Sequence, residues 1–248
     1  MRRFVLAGLK ASAICTVIGL IVGFIGAPPA SAQQSFNLLI GGFTPRAEDA
    51  RTPNDVLVND LSVPPQLLFN ISDFNSAAIG GEYLAGLGDK FEAGLGIGFQ
   101  QRSVPSVYAK LVDADGSEIE QTLKLRDIPF SATVRFLPLG HESGLQPYVG
   151  AGVGVHAWRY SESGEFVGDN NAIFRQSYVA SGTATGPVIL GGLRGMFGTW
   201  GVGGELRWQS AIGDLPQDKG FVTDPALDNK PKIDLGGFTY LFSVNFRF

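Results

Sequence analysis

The sequence predicts an all-β protein: an eight-stranded antiparallel up-and-down transmembrane β-barrel that follows a cleaved signal peptide. Two observations carry this prediction. The chain ends in a strictly alternating segment, in which every second residue from Phe238 to Phe248 is apolar and most of these are aromatic. Seven further segments repeat the period of two, whereas no run after residue 32 approaches the roughly 18 consecutive apolar residues of a membrane helix. A face in lipid and a face towards a polar lumen explain such alternation.

The first 32 residues have the three parts of a secretory signal peptide. Arg2 and Arg3 give a basic start, residues 11–26 are apolar and uncharged, and Ala30-Ser31-Ala32 forms a small-residue cleavage site. We therefore divide the chain into a signal peptide, 1–32, and a β-barrel domain, 33–248. A retained membrane helix is the alternative, but the apolar run is short for a span and the cleavage site follows at once.

Composition excludes several functions of the mature chain. Cys15 lies in the signal, so disulfides, cysteine redox chemistry and cysteine-bound metals are excluded. Three of the 19 basic residues and none of the 23 acidic residues lie in the signal, which leaves a formal net charge of −7 (16 − 23). That balance argues against nucleic acid as a partner, because phosphate binding needs a basic face.

Eight segments carry the alternating pattern, and each approaches the roughly 9 to 11 tilted residues that cross a bilayer as a strand. In chain order we expect strands at Phe36 to Phe43, Phe74 to Ala85, Lys90 to Arg102, Thr122 to Leu137, Pro147 to Tyr160, Thr185 to Phe197, Trp200 to Ile212 and Ile233 to Phe248.

The connections between these segments alternate between short and long. The short, turn-rich ones are Gly88 to Lys90, Pro138 to Gln146 and Gly198 to Thr199, and the long, polar ones are Thr44 to Asp73, Ser103 to Gln121, Tyr160 to Thr183 and Gly213 to Lys232. Bacterial outer-membrane barrels have short periplasmic turns and long extracellular loops. With an even number of strands, both termini are then expected in the periplasm.

Alternation assigns a side to each strand residue. We place outward Phe91, Ala93, Leu95, Ile97 and Phe99 on the third strand, Val149, Ala151, Val153 and Val155 on the fifth, and Trp200, Val202, Leu206 and Trp208 on the seventh. The fourth strand departs from the pattern, since Leu123 and Leu125 have the opposite parity to Ile128 and Phe130. A bulge near residues 127–129, or a strand that has already left the bilayer, explains this.

The inward face collects charged residues of both signs. These are Glu82, Glu92, Arg135, Arg194, Glu205, Arg207 and Arg247. Side chains fill the interior of an eight-stranded barrel, and unpaired charge away from water is costly, so we expect a paired charge network that plugs the lumen. A narrow pore, or a channel that passes small apolar solutes sideways into the bilayer, is the alternative. We expect inward glycines such as Gly150 to make room for the long side chains.

Catalytic and metal sites have little support. The two histidines are His141, in a predicted turn, and His156, predicted to face inward, and neither position suits attack on a lipid ester, so a lipid A-modifying enzyme is the weakest hypothesis. Residues 113–120 contain alternating carboxylates but depart from the EF-hand pattern, and Asp115-Gly116 favours a hairpin turn. We expect no catalytic residues, no metal and no cofactor.

Aromatic residues near predicted strand ends suit the interfacial girdles of a barrel. They are Tyr83, Tyr148, Trp158, Tyr160, Trp200 and Trp208.

The whole mature chain resembles the small Gram-negative outer-membrane β-barrel proteins of the OmpA, OmpX and OmpW kinds, a porin-like group. The resemblance rests on the signal peptide, the eight alternating strands, the loop asymmetry and the closing Phe-Ser-Val-Asn-Phe-Arg-Phe. It implies a cell outer-membrane location, a surface role for the loops, and lipids and lipopolysaccharide as neighbours of a monomer. It also implies that the barrel assembly machinery reads Phe242, Val244, Phe246 and Phe248. The resemblance does not define a ligand.

Overall fold

The computed structural model describes residues 33–168, 171–216, 220–221 and 230–248, and the predicted signal peptide lies outside them. We number strands in chain order. Eight strands form the barrel: β1 (Gln34–Pro45), β3 (Ser76–Gly86), β4 (Phe91–Val112), β5 (Glu118–Phe136), β6 (Leu145–Val167), β7 (Ile173–Phe197), β8 (Trp200–Gln209) and β11 (Gly237–Arg247). Three short strands, one α-helix and two 3-10 helices lie in the described parts of the connections: β2 (Leu67–Leu68), β9 (Ile212–Asp214), β10 (Lys232–Asp234), α1 (Val56–Ser62) and the 3-10 helices Glu48–Ala50 and Ile71–Phe74.

The barrel is a closed antiparallel ring, which confirms the predicted fold class. Each barrel strand pairs with the barrel strands before and after it in sequence, and β1 closes the ring against β11 with Leu38 opposite Val244. Closure leaves no barrel strand with a free edge. No helix in the described ranges is long and apolar enough to cross a membrane.

The two ends of the barrel differ as the sequence predicts. At one end, here called the turn end, residues 87–90, 137–144 and 198–199 connect the strands. Gly88, Gly140 and Gly198 have φ of +74°, +71° and +72° there, a backbone conformation that favours glycine. Residues near both ends of the barrel domain meet at this end, since Gln34 N donates to Phe248 O over 3.3 Å. The long connections lie at the opposite end, here called the loop end.

Two predicted loops are largely strand, so those boundaries are wrong. The β4–β5 ladder continues through Val107 opposite Glu120, and the β6–β7 ladder continues to Val167 opposite Ile173. These segments are polar on the outside, which hides them from a search for membrane strands, but backbone pairing continues independently of lipid. The carboxylate-rich segment at the tip of the first hairpin is a turn, in which Gly116 N donates to Asp113 O over 2.9 Å.

The fourth predicted strand has no bulge near residues 127–129. Ile97 lies opposite Phe130 and Gln100 opposite Asp127 in one constant register, and Leu123 continues the inward face of β5. Lys124 and Arg126 continue its outward face. Of the two explanations, the strand that extends beyond the apolar band is the one that fits. The polarity of the wall therefore inverts along β5: apolar outside and polar inside near the turn end, polar outside and apolar inside near the loop end.

An apolar core fills the loop end of the barrel. The connection between β1 and β3, predicted to be a polar surface loop, folds into the barrel mouth, where Val56 and Leu57 of α1 are fully buried. Inward residues of the wall, including Leu123 and Trp158, pack against this connection, together with Ile233 of β10. We call residues 46–75 together with strands β9 and β10 the cap.

Buried ion pairs join the two parts of the cap. Arg51 contacts both carboxylate oxygens of Asp55 at 3.1 Å, and Asp55 also caps α1 by accepting from Leu57 N at 3.0 Å. Asp234 N donates to Asp55 Oδ2 over 2.6 Å, and the Asp234 carboxylate binds Arg46 at 3.0 Å. The short α1 is therefore held by contacts from outside the helix.

Three of the six predicted girdle aromatics lie inside the barrel instead. Tyr148, Trp158 and Tyr160 are buried, because their even numbers give them the inward parity of β6, whereas Trp200 and Tyr83 are exposed on the outer surface. The inward parity predicted for Gly150 applies equally to these three residues of the same strand.

Candidate functional site: the lumen and its cap

The lumen near the turn end is built around Arg135 of β5. Its Nη2 donates to Glu82 Oε2 over 2.5 Å and to Glu205 Oε2 over 2.7 Å, so one guanidinium joins strands β3 and β8 across the barrel. Arg135 and Glu82 are each 1% exposed. A buried cation between two buried carboxylates satisfies charges that would otherwise be costly to remove from water.

Arg207 and Tyr148 complete this cluster. Arg207 donates from Nη2 to Glu205 Oε1 over 2.7 Å and lies 3.5 Å from Glu82 Oε1. The Tyr148 hydroxyl donates to Glu205 Oε2 over 3.1 Å, and its ring lies under the Arg135 guanidinium at 4.7 Å. Each carboxylate thus has two cationic partners.

A second cluster lies nearer the turn end. Arg194 pairs with Glu92 and donates from Nε to Gln146 Oε1 over 2.7 Å. Arg247 reaches the same amide oxygen over 3.3 Å. His141 Nε2 lies 3.2 Å from Glu92 Oε1, although without the angles of a hydrogen bond.

The seven charged residues that the sequence places in the lumen therefore separate into two groups. The structure brings Glu82, Arg135, Glu205 and Arg207 together, and it brings Glu92 to Arg194, with Arg247 at the margin. Sequence reasoning missed Tyr148 and Gln146 as members. Their parity on β6, which matches that of Gly150, is the signal that could have found them.

Glycines on neighbouring strands make room for these side chains. A Cβ at Gly150 would come within 2.7 Å of Val134 O and 3.0 Å of Arg135 Cγ. A Cβ at Gly94 would come within 2.7 Å of Thr133 Oγ1 and 3.2 Å of Glu82 Oε1. Both positions are closer than carbon contacts allow, so a larger residue would displace the charge network or the wall.

A layer of three polar residues lies between the charge network and the cap. His156 Nδ1 contacts Asp127 Oδ2 at 2.8 Å, and Gln100 Nε2 donates to the same oxygen over 3.1 Å. Asp127 lies on β5 and His156 on β6, and both side chains are buried inside the barrel. The Asp127 carboxylate thereby orients the histidine, and both side chains are enclosed in the lumen.

Two buried carboxyl groups, Asp60 and Glu162, both interact with Tyr160 where the cap meets the wall, beyond the apolar band. Asp60 of α1 accepts from the Tyr160 hydroxyl over 3.4 Å, and Tyr160 also interacts with Glu162. Burial raises the pKa of Glu162 to about 7, and burial together with the charge of Glu162 raises the pKa of Asp60. The pair therefore holds a proton under conditions in which exposed carboxyls have lost theirs.

In the described ranges no group of three or more His, Cys, Asp or Glu side chains is arranged to hold a metal ion. Residues 113–117 form a turn and 118–120 begin β5, His141 lies in a short connection, and His156 is enclosed in the lumen.

The sequence matches no protein-family model and no curated protein. Among solved structures, the outer membrane protein OprG from Pseudomonas aeruginosa superposes with a TM-score of 0.52 at 12% identity, over 88% of this chain and 96% of that chain. Neisserial surface protein A matches with a TM-score of 0.42 at 11% identity, over 87% and 97%. Ail of Yersinia pestis matches with a TM-score of 0.41 at 11% identity, over 88% and 99%.

The chain has the fold of a small outer-membrane β-barrel protein, as the resemblance implied. The superposition on OprG supports this fold for the eight-stranded barrel as a whole. At 12% identity it concerns the fold alone, and activity has to be argued from the lumen, the cap and the outer surface.

Proposed function

We propose that this protein is an integral outer-membrane barrel with a structural and surface role, whose lumen is closed by its charge network and its cap. The barrel sits in the bilayer through its apolar outer band, and the long hairpins and the cap face the outside of the cell. The apolar exterior of β6, β8 and β11 supports this location, as do the fold shared with OprG and the expected signal peptide.

One observation carries the closed lumen. The side chains of Glu82, Arg135 and Arg194 point to the barrel interior and yet are 1%, 1% and 2% exposed. A water-filled pore that passed these charged groups would leave them accessible to solvent. At the other end, Leu57 and Ile233 of the cap are fully buried, which supports a closed lumen there as well.

Planar-bilayer recording of the refolded barrel domain tests this proposal. We expect no steady unitary currents from the wild type, because both halves of the lumen are filled. The double variant Glu82→Ala and Arg135→Ala serves as the comparison, since it removes the bridging pair while leaving the cap intact. Steady wild-type currents would contradict the closed lumen.

A second candidate, lateral passage of small apolar solutes, is favoured by a local feature of the wall. The β4–β5 ladder is interrupted at Gly98 and Phe99, opposite Pro129, whose nitrogen has no hydrogen to donate. A cavity of about 40 Å³ adjoins this interruption and is lined by Leu39, Leu241 and Pro129 among others. An interrupted ladder is where a wall of strands would open.

Uptake of a small apolar fluorophore into vesicles distinguishes this candidate. If solutes leave through the interruption, Pro129→Val should slow uptake by restoring a backbone donor, while Pro105→Val, also in the wall but beyond the band, should not. Equal uptake by wild type, both variants and protein-free vesicles would eliminate lateral passage.

A further inference from the structure

Three cationic side chains form a patch on the outer surface of the barrel, towards the loop end. Lys124 and Arg126 lie on β5 and Arg159 lies on β6, and we call these three residues the outer basic patch. Arg126 is directly opposite Arg159 across the β5–β6 ladder, and Lys124 is two residues further along the same face. Directly opposed residues have Cβ atoms only about 4.5–5.5 Å apart.

Like charges in this arrangement repel each other, so the patch is unfavourable without an anion. In the described part of the chain, none of the three cations forms an ion pair or a side-chain hydrogen bond with a carboxylate. The Nε of Arg126 is buried and has no hydrogen-bond partner among these residues. The guanidinium has therefore lost water at one nitrogen without a replacement from the protein.

The residues around the patch are neutral hydrogen-bonding groups. Gln101 and Ser103 flank it on β4, and Ser161 and Ser181 flank it on β6 and β7. The first outward carboxylates beyond the patch are Glu120, four residues from Lys124 on β5, and Glu165, six residues from Arg159 on β6, and Glu165 is already bound to Arg175 at 2.9 Å. Amides and hydroxyls beside unneutralised cations suit a ligand that carries both phosphate and sugar oxygens.

The height of the patch on the barrel defines where such a ligand would be. Ile128 and Ala157 form the cross-strand pair just below Arg126 and Arg159 on the outer face, and they belong to the apolar band with Phe130 and Val155. The two arginines thus lie two residues from the edge of that band, and Lys124 lies four residues from it. Groups at this height meet the headgroups of the outer leaflet rather than the open solvent.

We propose that the outer basic patch binds the phosphorylated headgroup of lipid A in the outer leaflet, with Arg126 and Arg159 on phosphate and Lys124 on the second phosphate or a sugar oxygen. This inference rests on the proposed outer-membrane location and adds the partner. Planar guanidinium groups bind phosphate through two parallel hydrogen bonds, and a phosphate between Arg126 and Arg159 removes their repulsion.

Native mass spectrometry of the refolded barrel in phosphatidylcholine nanodiscs can count and titrate bound lipid A. We expect the wild type to retain doubly phosphorylated lipid A, and the triple variant Lys124→Gln, Arg126→Gln and Arg159→Gln to bind it at least about tenfold more weakly. A matched triple variant, Lys90→Gln, Lys110→Gln and Arg175→Gln, loses the same charge elsewhere and should bind as the wild type does.

Lipid A without phosphates and phosphatidylglycerol serve as the other ligands, and inorganic phosphate as a competitor. We expect dephosphorylated lipid A and phosphatidylglycerol to bind weakly and inorganic phosphate to compete poorly. The inference would be overturned if the two triple variants bound lipid A equally well. It would also be overturned if the wild type bound dephosphorylated lipid A or phosphatidylglycerol as tightly as doubly phosphorylated lipid A, or if inorganic phosphate displaced lipid A. In each of these cases the barrel still inserts, so the proposed function stands. A wild type that fails to insert and to show a heat-shifted gel mobility would overturn the proposed function and the inference with it.

Discussion

At the scale of single residues, Arg135 holds the charge network of the lumen together. Its guanidinium is the link between Glu82 and Glu205, and both carboxylates are buried. Replacing a well-paired buried ion cluster as a whole by apolar residues is often tolerated, but removing one partner leaves uncompensated charge. We therefore expect that removing one charge from this cluster lowers the free energy of unfolding far more than removing one charge from the surface.

The substitution Arg135→Met keeps most of the side-chain volume and removes the charge. We expect the free energy of unfolding to fall by about 3–5 kcal/mol, as for other broken buried pairs. Urea unfolding in lipid vesicles measures it. The control Arg175→Met removes a cation whose side chain is 84% exposed, and should cost no more than about 1 kcal/mol. Equal losses in both variants would mean that the lumen charges are solvated.

Phe248 is predicted to be part of the signal for assembly rather than of the folded barrel's stability. Its backbone exchanges two hydrogen bonds with Gln34, which an alanine would keep, whereas its side chain is 70% exposed and adds little to the folded barrel. We expect Phe248→Ala to reduce the fraction of protein in the outer membrane severalfold in cells, while the refolded variant keeps its urea midpoint. A lowered midpoint with normal targeting would contradict this role.

At the scale of elements, period-two alternation explains why the lumen charges could be predicted from sequence and the cap could not. A strand fixes the side of each residue locally, so Glu92 and Glu205 were placed inward without knowledge of partners. Val56 and Leu57 lie in a segment whose apolar residues are interspersed among polar ones. Their partners, such as Trp158, come from distant strands, and no local pattern encodes that packing.

The junction of cap and wall should loosen as pH rises. The pKa of Glu162 is about 7 when the cap is closed and near 4.5 when it is open, so the closed state binds more protons between these values. Its stability is therefore full below pH 4.5 and declines as pH rises through 7. Asp60 on α1 has a raised pKa too and acts in the same direction.

Hydrogen exchange of the α1 amides measures this opening. We expect the ratio of wild-type to Glu162→Gln exchange rates to rise by at least about tenfold between pH 5 and pH 8, because the ratio cancels the intrinsic pH dependence of exchange. The control Glu120→Gln, an outward carboxyl on β5, should leave the pH dependence unchanged. A constant ratio for Glu162→Gln would show that the pair does not hold the cap.

At the scale of the whole molecule, the barrel wall has two opposite arrangements of polar and apolar residues. Near the turn end it has the order expected in lipid, with Val153 outside and Glu82 and Arg135 inside. Near the loop end it has the order of a water-soluble protein, with Lys124 outside and Leu123 inside. We expect the membrane surface at the boundary between these two halves.

Site-specific labelling tests that boundary most directly, since the barrel domain, residues 33–248, contains no cysteine. Single cysteines at Val153, Ser163 and Leu123, each carrying an environment-sensitive fluorophore, would be read in vesicles with lipid-borne and aqueous quenchers; Ser163 lies on the outer face four residues beyond Arg159. We expect the lipid quencher to act on position 153 and the aqueous quencher on position 163, with position 123 protected from both. Aqueous quenching at 153, or lipid quenching at 163, would contradict the polarity inversion.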